Sequence, residues 1–167
     1  MTQRYAPRRA FPPYAYLPGR DPHPVSDPAG HSYRTEPEPR ASYLPAERWR
    51  DNEDFLFGAD LYNAGFLWEA HEVWEGLWHA AKHDARQADF LQGLIQCSAA
   101  SLKVRMEQPA GLAKLTALAL ARLERVAQDS GGAYMGLDLR HFTARFREFA
   151  DSSPRDAEGR PRIALGE

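Results

Sequence analysis

The segment Leu67–Trp78, LWEAHEVWEGLW, places three Trp, three Glu and one His in a dozen positions. At about 100° per residue, Leu67, Ala70, Val73, Trp74, Leu77 and Ala81 fall on one arc, the pattern of a helix with a buried face. Working outward, Gly65 stops a preceding helix that starts at Ala46 or Asp51 and ends near Asn63. The helix containing the quoted segment runs from about Phe66 to Lys82. Asp84 reads as the N-cap of a third helix, Ala85 to about Glu107, which Pro109 ends. A fourth spans roughly Ala110–Gln128 and stops at the SGG of Ser130–Gly132. Asp138 caps a fifth through about Ala150, where Leu139, Phe142, Phe146 and Phe149 make an apolar stripe. No alternating strand pattern competes. The expected fold is all-α, a compact bundle of about five helices over residues 46–150.

Ten of the 13 prolines lie in residues 1–45, so that segment is neither regular helix nor central strand. It also carries Phe11, Tyr14, Tyr16, Leu17, Tyr33, Tyr43 and Leu44, side chains suited to covering apolar surface. We therefore expect an extended proline-rich arm, partly packed on the bundle, with its first residues loose. His23 and His31 stand among its turn residues; they either serve the turns or reach a site on the body. The stretch 151–167 is polar and is expected to fray.

The chain is 43% hydrophobic and 26% charged with a net charge of −2, which gives no global pull toward nucleic acid or an anionic membrane. Residues 1–50 hold eight arginines against five acidic residues, without a patterned stripe. Nothing approaches the roughly 20 apolar residues of a membrane span, and no secretory signal is evident. Cys97 is the only cysteine and sits in an apolar run, so it reads as a buried thiol. These features point to a cytoplasmic protein.

His71 and Glu75 lie at i and i+4, where two side chains can chelate one divalent cation. In the resulting H-E-x-x-E, Glu72 stands where the general base stands in H-E-x-x-H zinc helices. A carboxylate is an acceptable Zn²⁺, Mn²⁺ or Fe²⁺ ligand, so one such ion is the expected cofactor. A third ligand must come from elsewhere. The plainer reading is a solvated cluster of Glu69, Glu72 and Glu75, with Glu69 near the positive end of its helix and His71 at the edge of the core. On the third helix Gln92, Gln96 and Lys103 share a narrow polar strip. It faces solvent, a neighbouring helix or a ligand, or else Lys103 pairs with a glutamate of the second helix.

FGADLYNAGFLWEAHEVWEGLW (57–78), FLQGLIQCSAASL (90–102) and YMGLDL (134–139) together resemble the bacterial and archaeal family called domain of unknown function 309, over about Phe55–Phe149. The resemblance implies a compact helical fold and an activity catalogued as predicted metal-dependent hydrolase. Asn63, Gly65, Trp68, Glu69, His71, Glu72, Glu75, Trp78, Gln92, Gly93 and Gln96 match its pattern. Lys103 departs from it, since relatives often carry a His there and a charged Lys is no ligand. Two functions follow. One is an enzyme with His71 and Glu75 as metal ligands and Glu72 as catalytic base. The other is a non-catalytic helical module whose Trp/His/Glu cluster is a structural polar network or a groove for a small molecule or protein. Homo-oligomerisation through the aromatic flank is a third.

Overall fold

A computed structural model describes residues 3–36 and 39–166. The caps expected at Asp84 and Asp138 act where the sequence puts them, and the first α-helix starts later than expected. Asn52 Oδ1 accepts from Phe55 N to start α1 (Glu53–Asn63), after a 3₁₀ segment at Ala46–Asp51. Gly65, at φ +89°, turns the chain tightly into α2 (Leu67–Ala80). Asp84 accepts from Gln87 N at the head of α3 (Ala85–Arg105), and Pro109 occupies the first turn of α4 (Pro109–Asp129). Asp138 accepts from His141 N to begin α5 (Leu139–Asp151). The five helices form an all-α bundle in which each successive pair from α1 to α4 packs together and α5 lies on α4.

The apolar arc of α2 is inside: Leu67, Ala70, Trp74, Leu77 and Ala81 are buried, while Val73 is half-buried. Trp74 is fully enclosed, and its indole N–H donates to Phe55 O at 3.3 Å, tying α2 to α1. A Cβ on Gly58 would lie 2.1 Å from that nitrogen, so the α1–α2 approach needs a glycine there. The α5 stripe of Leu139, Phe142, Phe146 and Phe149 is likewise buried.

The arm lies along the body. Asp60 accepts from Tyr5 N (2.8 Å) and Ala6 N (2.9 Å), and the Phe11 ring stacks on Phe66 at 5.0 Å. Tyr16 and Leu17 are buried, and Tyr43 Oη donates to Asp84 at 2.8 Å. The expectation of loose first residues falls partly on Met1 and Thr2, which lie outside the described residues.

Two expectations need correction. A small antiparallel hairpin, β1 (Ala133–Tyr134) with β2 (Leu137–Asp138), joins α4 to α5. Met135 and Gly136 both have positive φ, which closes a turn too short to show alternation. The segment after Asp151 does not fray through residue 166. Asn63 holds Ile163 at both backbone atoms (Nδ2 to O 2.9 Å, N to Oδ1 2.8 Å), and Leu165 bridges to Leu137. Ala157 and Ile163 are buried, and Arg160 donates to the carbonyls of Ala157 and Tyr62. Composition hid this because the anchoring groups sit on other elements.

Candidate metal centre

With its apolar arc turned inward, α2 presents His71, Glu72 and Glu75 on a partly exposed flank. His71 Nδ1 lies 3.5 Å from Glu72 Oε1, and its Nε2 lies 3.4 Å from Glu75 Oε2. One ligand atom from each of the three falls within 4.8 Å of the others. Glu72, the next residue in the chain, thus stands beside the His71–Glu75 pair. An imidazole nitrogen and a carboxylate suit Zn²⁺, Mn²⁺ or Fe²⁺, so the chemistry of that pair fits a divalent ion. Burial raises the Glu72 carboxyl above the usual carboxylate range, and the Glu75 charge adds to this, against opposing pulls from His71 and His23.

Glu69 behaves differently from its two neighbours. It is buried, where the solvated-cluster reading put it in water. Its carboxylate accepts from Tyr16 N at 3.1 and 3.2 Å, and His31 Nε2 lies 3.3 Å away, both side chains being only 5% exposed. His31 Nδ1 in turn meets Ser32 Oγ at 2.8 Å. His23 packs edge-on against Trp68 at 5.7 Å. Both arm histidines therefore reach α2, by way of Glu69 and Trp68.

The remaining sequence candidates scatter. Asn63 is committed to the C-terminal segment. Trp78 carries Lys82 Nζ over its ring at 4.6 Å, one turn beyond Glu75. Lys103 does not pair with a glutamate of α2; its Nζ donates to Gln108 at 2.9 Å across the α3–α4 turn. Gln92 is half-buried on α3, and Gln96 is buried with its Oε1 unpartnered among the described residues. Tyr16 is the residue that sequence reasoning left out of the site; a Tyr beside prolines carried no signal beyond docking.

A hollow of about 1030 Å³ lies between α4 and α5, lined by Leu112, Thr116, Leu120 and Arg147 among others. It includes no residue of α2, and the His71 group stands on an open flank beside the arm. Fold and site together define a helical bundle with an imidazole–carboxylate group on one helix. A family model described as Domain of unknown function (DUF309) matches residues 55–115, from α1 into α4. The similarity is established for that stretch, which contains the whole His71 group, and not for the arm or α5. No curated protein and no solved structure matches the chain. No helix among the described residues is long and apolar enough to cross a membrane.

Proposed function

We propose that this protein holds one divalent metal ion with His71 and Glu75 and hydrolyses a polar bond, with Glu72 as general base. The observation that carries the reading is the convergence of three ligand atoms within 4.8 Å on an accessible flank. A bound ion supplies Lewis acidity, which ionises water near neutral pH. Glu72, beside the pair, would take up the proton released. Trp68 and Trp78 bracket the group along the helix and give a substrate aromatic surface on either side. The group lies within residues 55–115, the stretch that matches the family of unknown function. The same reading sets the protein in the reducing cytoplasm, in keeping with a single buried cysteine.

Metal analysis of protein purified without chelator or metal-affinity tag tests it. About one equivalent is expected, lost in His71→Ala and Glu75→Gln. Glu72→Gln retains the ion and loses turnover of chromogenic esters or phosphoesters. Less than about a tenth of an equivalent, with no uptake on titration, refutes the reading. One observation favours a second: the two carboxylates face different ring nitrogens, as they would around an imidazolium. In that case the trio is a polar network of a ligand- or partner-binding module, and His71→Ala changes stability but not metal content.

A further inference from the structure

Three rings gathered at Trp68, one turn before His71 on α2, are unaccounted for by the metal-centre reading. Tyr16, His23 and Trp68 pack mutually edge-on, with centroids 5.2 Å apart for Tyr16–Trp68, 5.4 Å for Tyr16–His23 and 5.7 Å for His23–Trp68. Trp68 precedes His71 by three residues and Glu72 by four, so all three share one flank of α2. The arm thus sets two of its rings next to the group.

Each ring carries a hydrogen-bonding edge. His23 Nδ1 accepts from Val25 N and Ser26 N, both at 3.3 Å, which leaves Nε2 as the protonated nitrogen. Among the described residues, no acceptor meets His23 Nε2–H, the Trp68 indole N–H or the Tyr16 hydroxyl, and none of these atoms is sealed from solvent without a partner. Two of the three can only donate. The rings are also held in place: Tyr16 N is bound by Glu69, and Glu69 by His31. Binding there would order little that is not ordered already.

Ligand charge is constrained by the neighbours. In the metal-free chain Glu72 and Glu75 repel a free anion, while the N–H and O–H edges turn their positive ends toward whatever they meet. A flat, neutral acceptor pairs with the donors and sets no charge against the carboxylates. We propose that Tyr16, His23 and Trp68 form a subsite for a neutral carbonyl group, an amide or an ester, supplied jointly by the N-terminal arm and α2. The proposal depends on the metal-centre reading only in making that carbonyl the one presented for hydrolysis.

The test is an NMR titration of the full, metal-free chain with benzamide and with benzoate, its isosteric anion. The readout is the Trp68 indole N–H, assigned with Trp68→Phe. Benzamide should shift it saturably, with a Kd on the order of millimolar. Benzoate should bind about tenfold more weakly, because it meets like charge. Tyr16→Phe keeps the ring, loses the hydroxyl and should weaken benzamide about fivefold, as should His23→Ala. No saturable shift, equal binding of the two probes, or unaltered affinity in both variants overturns the subsite. A repeat on His71→Ala separates the two claims. Benzamide binding that persists while metal uptake is absent in the unmodified chain sinks the metal centre and leaves the subsite.

Discussion

Gly58 and Gly76 make opposite predictions from the same substitution. Both lie inside helices, α1 and α2, and by propensity alone Gly→Ala should stabilise each by about 0.5–1 kcal/mol. A Cβ on Gly76 meets nothing within 4 Å, so Gly76→Ala should deliver that gain. A Cβ on Gly58 would stand 2.1 Å from Trp74 Nε1 and 2.6 Å from two further indole atoms. Trp74 is fully buried and cannot swing aside into solvent. Overpacking of this kind costs about 1–3 kcal/mol. Displacing the indole also forfeits its bond to Phe55 O, about 1 kcal/mol. The net expectation for Gly58→Ala is a loss of about 2 kcal/mol, or about 4–8 °C in Tm for a chain of this size. Urea denaturation of both variants followed by Trp fluorescence gives the comparison. Equal stabilisation by the two substitutions would refute the claim that the α1–α2 contact, and with it the placement of the His71 flank, is set by backbone approach at Gly58.

Glu69→Ala strands Tyr16 N and removes the partner of His31; we expect the arm to loosen by about 1–3 kcal/mol. Hydrogen exchange should rise in residues 14–33 while the α3 and α4 amides keep their protection. Burial pushes Asp89 up, but Arg125 and Arg122 outweigh it and hold the carboxyl below its ordinary value of 3.8. The folded pKa therefore lies below the unfolded one, so this group stabilises above the unfolded value and less as the pH falls toward the folded one. Asp89→Asn should be less stable than the unmodified chain at pH 7, and the gap should narrow by pH 3 in urea melts; a gap independent of pH would contradict the assignment. Burial drives the Cys97 thiol far up. It should resist 5,5′-dithiobis(2-nitrobenzoic acid) at pH 8 until guanidinium unfolds the chain and one thiol appears.

The helices were legible because their determinants are local. Asp84 and Asp138 cap where they stand, Gly65 turns the chain, and the α5 stripe repeats within four turns. The His71–Glu75 spacing was legible on the same grounds. Glu69 was not: its partners lie 38 and 53 residues earlier in the arm, and no period connects them. Which of the open alternatives Lys103 takes was not legible for a related reason, since its bond to Gln108 depends on how the α3–α4 turn brings the two together. The C-terminal segment is held by Asn63 across 100 positions, so its polar composition gave no hint of burial.

The arm's manner of lying on α1 and α2 bears on how the bundle can be handled. Phe11 covers Phe57 and Phe66, while Tyr16 and His23 cover Trp68. A shortened version starting at α1 would bare those rings as a continuous greasy strip and leave the Glu69 carboxylate facing it. Clumping of such a preparation would report the missing cover, and say nothing against the helices themselves.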